Sequence, residues 1–258
     1  MQPYFQGRIR QYTCARQLPA FKVVRSSVSM ARKRIHRFDG DILEHPRYSI
    51  EEAAKYLRIP VSTVAAWTRG QYYTNKYGKR ITFNPVLELA DKRNGLLSFN
   101  NLAEAHILRC TTQRNVPLKN VRLALQYVRE VLPKDRHPLL NRDFRTFGSS
   151  VFIRHLGKTV NATRYGQLAM RKLLGRYLKR IKRDDVTGQI QELYPIKTRH
   201  LAINPLISAG KPIVKGTGIN VMVLWGRLRS GESDADVAND YGLTIGEVKS
   251  AVKEFAAA

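Results

Sequence analysis

Between residues 48 and 70, apolar side chains recur twice at helical spacing, with a proline between the two runs. In YSIEEAAKYLRIPVSTVAAWTRG, Ile50, Ala53, Ala54 and Leu57 fall at i, i+3, i+4 and i+7, one stripe of a first helix. Ser49 followed three residues later by Glu52 fits a capping box at its start. Pro60 cannot continue that helix but suits the opening of another. In the second run Val61, Val64 and Trp67 take one side, Ser62, Thr63, Ala66 and Arg69 take the other, and Gly70 is the stop. Two short helices on a tight turn describe a helix-turn-helix unit, whose second helix enters the DNA major groove. A plain helical hairpin inside a core is the bland alternative.

The next segment, QYYTNKYGKRITF at 71–83, predicts a hairpin with its tip at Asn75–Arg80 and Gly78 at a positive φ. A basic hairpin directly after a recognition helix has the character of a wing. Candidate DNA contacts are therefore Ser62, Thr63, Ala66 and Arg69 on the helix, with Tyr73, Asn75, Lys76, Lys79 and Arg80 on the wing. Small hydroxyls near a helix N-terminus can approach phosphates or base edges.

Further on, 98–109 and 118–132 read as amphipathic helices joined by an Asn115-Val116-Pro117 turn. The segment VFIRHLGKTVNAT, 151–163, predicts a second hairpin around Gly157. Residues 166–183 predict one long basic helix, with Leu173, Leu174, Tyr177, Leu178 and Ile181 facing inward. Residues 204–218, NPLISAGKPIVKGTG, suit tight turns and up to two short strands. Three compact helices follow at about 219–229, 233–240 and 244–255, with Ser233 and Thr244 as N-caps and Gly231 and Gly242 as stops. The fold class is mainly α with short β-hairpins. The segments are a poorly ordered basic arm (1–47), a winged helix-turn-helix (48–132), a connecting region with a hairpin and a basic helix (133–203), and a small three-helix domain (204–258).

Charge sharpens this division. The 258 residues carry a formal net charge of +25, which favours a polyanionic partner, nucleic acid above all. From Asn204 onward six basic side chains balance six acidic ones, so 39 of the 45 Lys and Arg and 14 of the 20 acids lie earlier. Residues 1–38 hold nine basic residues and no acid, and Met30 within them offers an alternative start. No run of eighteen apolar residues and no signal-peptide pattern appears, so a cytoplasmic protein with no membrane partner is expected. Cys14 and Cys110 are too few for a disulfide framework or a zinc site.

Other candidates are weak. GKPIVKGTG lacks the order of a phosphate-binding P-loop. His106 and Cys110 stand at i, i+4 without further metal ligands nearby, and Glu104 beside His106 has no nucleophile placed with it. No catalytic residue, cofactor or metal is predicted.

The segment from Tyr48 to about Leu132 resembles the winged helix-turn-helix of MerR-type regulators, with RNVPLKNVRLAL resembling the region after the wing. The C-terminal Gly210-Lys211-Pro212, the following Gly-Thr, Gly-Glu-Ser and Tyr-x-Leu-Thr-x-x-x-Val resemble a small domain of nominally unknown function. In this order the two parts, covering Tyr48 to Phe255, look like antitoxins of VapB type, encoded beside PIN-like ribonuclease toxins. Pro60 departs from the pattern, standing where a capping Ser or Thr is common. The resemblance implies a homodimer that binds double-stranded operator DNA through the front module and a cognate PIN-like toxin through the tail. Glu232, Asp234, Asp236 and Asp240 lie within nine residues, where phosphate would be repelled and a basic protein attracted. With Lys211 and Trp225 they are the candidate toxin contacts. A stand-alone transcriptional regulator and an RNA-associated basic protein are the alternatives.

Overall fold

The computed structural model describes residues 41–74, 76–132, 135–159, 164–195 and 197–257, which belong to one body. Its front holds α1 (Ile50–Leu57), α2 (Val61–Arg69) and an antiparallel hairpin of β1 (Gln71–Thr74) and β2 (Arg80–Phe83). Then come α3 (Phe99–Thr112) and α4 (Leu118–Val131). The capping box is formed, with Ser49 Oγ accepting from the Glu52 amide and the Glu52 carboxylate accepting from the Ser49 amide, each at 3.1 Å. A second capping box, between Ser98 and Asn101, opens α3.

α3 is the central strut. It is buried from Phe99 to Thr111 save Asn100, with α1 and the later α6 (Arg164–Leu178) packed against it. The expected hairpin at 151–163 is instead a helix, α5 (Ser149–Thr159), which carries Gly157 within it; residues 160–163 lie outside the described residues. Val151-Phe152-Ile153 looks strand-like locally, yet Phe152, Ile153 and Leu156 form one buried helical stripe against α4. Phe144 meets Phe152 edge-on at 5.9 Å. Packing overrode local β preference.

The basic helix is shorter than predicted. α6 stops at Leu178, and Ile181–Arg183 becomes β3 in a four-stranded antiparallel sheet with β4 (Ile190–Leu193), β5 (Leu201–Ile203) and β6 (Pro212–Val214), in that order. Pairing of Leu201 with Val214 and Ile203 with Pro212 carries the sheet across the expected boundary at 204. The three terminal helices appear as expected: α7 (Val221–Arg229), α8 (Asp234–Tyr241) and α9 (Ile245–Ala256), with Ser233 and Thr244 capping the last two.

Residues 41–47, expected in a loose arm, pack on the body. Leu43 is buried, and Arg47 donates to the carbonyls of Ile42 and, at 2.7 Å, Pro205. Residues 1–40 lie outside the described residues.

Candidate nucleic-acid interface

α1 ends at Arg58 in the left-handed region (φ 54°), Ile59 tucks into the core, and Pro60 opens α2 without a side-chain cap. The first-turn amides of α2 are therefore unclaimed by any capping side chain, which is the disposition that receives an anion. Ser62 and Arg69 are exposed and Thr63 is half-buried, while Val64, Trp67 and Thr68 are in the core. Two positions differ from expectation. Val61 is 47% exposed, and Ala66 is only 8% exposed. Ala66 lines a groove with Val116, Leu118 and Val121 beside the α3–α4 turn, and Ser62 and Thr63 form part of that groove's wall. Ser62, Thr63 and Arg69 are accessible on this surface and Ala66 is not.

The wing leaves α2 through Gly70, whose φ of +77° and clearance explain the residue. A Cβ there would lie 2.3 Å from the Phe83 carbonyl oxygen. β1 and β2 pair from Gln71↔Phe83 to Thr74↔Arg80, with Gly78 at φ +74° in the tip as predicted. Lys76, Lys79 and Arg80 are exposed, and the Arg80 guanidinium stacks 3.9 Å from the Tyr72 ring. Asn75 and the side chain of Tyr73 lie outside the described residues. Arg122 of α4 braces the wing root: Nε donates to the Asn84 carbonyl at 2.6 Å and the guanidinium sits 4.8 Å from the Phe83 ring. No local pattern announces this brace, since Asn84 lies 38 residues before Arg122. On the other side of α2, Arg69 shares a groove with Lys92, Arg129 and Arg136.

The candidate toxin residues are mostly engaged within the chain. Lys211 pairs with Glu52 of α1. Burial pushes the Glu52 pKa up, but Lys211 and the Ser49 amide outweigh it and hold the carboxyl below its usual range. Arg227 bridges Glu232 and Asp240, Lys249 pairs with Asp234 at 3.1 Å, and Asp236 accepts from the Ser233 hydroxyl at 2.6 Å. Trp225 packs edge-on against Phe255 at 6.1 Å beneath the Arg229 guanidinium. Beside its exposed charged residues the tail also exposes apolar ones: Leu206 (76%), Met222 (42%), Val223 (45%) and Ile245 (45%). Met222 and Val223 escape sequence reasoning because α7 shows no clear apolar stripe.

Residues 46–125 match the family described as "Putative DNA-binding HTH domain", and residues 201–254 match "Protein of unknown function (DUF433)". A curated protein of Mycobacterium tuberculosis, "Putative antitoxin VapB45", is 26% identical over 229 residues, covering 82% of this chain and 95% of the relative. The chain is thus similar to this putative antitoxin over most of its length. The crystal structure of Rv2018 from M. tuberculosis has the same fold, with a TM-score of 0.60 at 23% identity, covering 81% of this chain and 98% of that one.

The Gly-Lys-Pro motif ties the C-terminal segment to the helix-turn-helix. The Gly210 carbonyl accepts from the Tyr48 hydroxyl at 3.0 Å, Lys211 holds Glu52, and Pro212 begins β6. His106 and Cys110 are fully buried. Burial drives the His106 pKa down to about 3 and the Cys110 thiol up to about 12, and the imidazole packs on Tyr177 at 5.0 Å. Glu104 faces His137 at 2.9 Å, not His106. Among the described residues no helix is long and apolar enough to cross a membrane.

Proposed function

We propose that this protein is a DNA-binding antitoxin. Its winged helix-turn-helix binds the operator of its own operon as a homodimer in the cytoplasm, and its C-terminal domain neutralises a cognate PIN-like ribonuclease toxin. The carrying observation is the joint exposure of Ser62 and Arg69 on α2 and of Lys76, Lys79 and Arg80 on the adjoining wing. A helix of this kind reads base edges while a basic wing neutralises phosphate. The name of the M. tuberculosis relative supports the antitoxin role.

The test is co-expression with the product of the neighbouring gene. A stable complex that silences the partner's ribonuclease activity and shifts the shared promoter duplex supports the proposal; two proteins that purify apart count against it. A stand-alone regulator is the second reading, favoured by the internal pairing of Lys211, Glu232, Asp234 and Asp240. It requires promoter binding with no toxin gene alongside.

A further inference from the structure

The face of α6 turned away from the core carries four cations, Arg171, Lys172, Arg176 and, in the turn after the helix, Lys179, all of them clear of the core. At 1.5 Å per residue they lie within about 12 Å along the axis. No carboxylate occurs between Arg164 and Arg183, and among the described residues none of the four stands in an ion pair. The tail behaves oppositely, pairing Lys211, Arg227 and Lys249 with acids of the chain. Like charges left together without partners repel, so this fold maintains an uncompensated cationic surface.

Gly175 stands at the centre of that face. A Cβ built there meets nothing within 4 Å, and its φ is not positive. Neither packing nor backbone conformation requires glycine, and mid-helix glycine destabilises relative to alanine. What the residue does supply is a flat spot ringed by cations, where a polymer backbone can approach closely. The opposite face, Met170, Leu173, Leu174 and Tyr177, is buried, with α6 resting on α3 and α5. The ridge is therefore fixed rigidly to the helix-turn-helix through α3.

We propose that this ridge is a second, sequence-independent DNA contact that grips the sugar-phosphate backbone of duplex outside the segment read by α2. The proposal rests on the DNA-binding reading above. Charge complementarity and continuity with a DNA-binding body favour duplex DNA over a lipid surface or an acidic protein, neither of which explains a close-approach glycine.

The test is anisotropy of a labelled promoter duplex, and of an unrelated duplex of equal length, across a salt series. The proteins compared are wild type, Arg69→Ala, the quadruple variant R171Q/K172Q/R176Q/K179Q, and Gly175→Leu. The quadruple variant should flatten the slope of log affinity against log salt by about two to four, roughly one for each phosphate that is no longer neutralised. It should weaken both duplexes to the same degree. Gly175→Leu should melt no lower than wild type yet bind several-fold more weakly with its salt slope retained. An unchanged slope in the quadruple variant, or wild-type binding by Gly175→Leu, overturns the proposal. If Arg69→Ala weakens promoter binding while the α6 variants do not, the ridge alone is refuted. If wild type binds neither duplex, the DNA-binding reading fails and takes the ridge with it.

Discussion

The hydroxyl of Tyr48, at the entry to the helix-turn-helix, donates to the carbonyl oxygen of Gly210, 162 residues later, at 3.0 Å. A Cβ on Gly210 would lie 2.3 Å from that hydroxyl oxygen, and its φ is +74°. Together with Lys211–Glu52, the Lys55 ammonium 4.2 Å from the Phe255 ring, and Arg58 donating to the Glu254 carbonyl, this makes α1 a shared wall of both ends. Gly210→Ala should destabilise the whole chain by about 1–3 kcal/mol through strain and wedging. Calorimetry should show one transition moved to lower temperature. Two separate transitions, with only the tail affected, would contradict a shared wall.

The same geometry governs truncation. Removing 204–258 strips β6 from β5 and uncovers Tyr48, so loss of soluble protein on truncation says nothing about toxin contacts. Point variants are the informative probes. Met222→Asp with Val223→Asp, both on the exposed face of α7, should leave the melting temperature near wild type and weaken capture of the neighbouring-gene product. A double variant that pulls down the partner as well as wild type would remove this face from the interface.

Gly70→Ala should act at the wing. The substitution forces a Cβ against the Phe83 carbonyl at a positive φ, costing about 1–3 kcal/mol of stability and tilting the hairpin away from its Arg122 brace. Promoter affinity should fall by more than in Lys79→Ala, which removes about one phosphate contact and flattens the salt slope by roughly one. Equal binding by Gly70→Ala and wild type would show that wing placement is immaterial.

Stability should decline with alkalinity because of His137. Its Nδ1 lies 2.9 Å from Glu104 and its Nε2 2.8 Å from Glu44. Burial alone would lower its pKa, but the two carboxylates outweigh burial and raise it. A pKa raised on folding gives stabilisation that is complete below the unfolded-state value of about 6.5 and drains as pH climbs through the folded-state value. Burial raises the Glu104 pKa as well, against the pull of His137, which works in the same sense. Urea midpoints should therefore fall as pH rises from about 6.5, and His137→Gln should cost about 3–5 kcal/mol at acidic pH while losing most of that slope. Parallel pH profiles for the two proteins would contradict the assignment.

What could be read from the sequence was local. The Ser49–Glu52 box, Pro60, Gly70 and Gly78 each announce themselves within four residues, and all four sit as predicted. The faces of α2 were legible only in part, because Ala66 is buried in a groove it shares with Val116 and Leu118, about fifty residues further along the chain. The Lys211–Glu52 pair was not legible, because the two residues stand 159 positions apart. Residues 151–159 read as strand because apolar, β-favouring side chains cluster there, while the α4 surface that makes them helical is invisible locally. Apolar stripes and caps are written in neighbours; braces and clamps are written in tertiary contacts.

The most direct measurement is the affinity of wild type and Arg69→Ala for the protein's own promoter duplex and for a scrambled duplex, at low ionic strength. The account predicts that wild type prefers the promoter, and that Arg69→Ala loses about 1–3 kcal/mol on the promoter with little change on the scrambled duplex. Equal wild-type affinity for the two duplexes, or none for either, would contradict it.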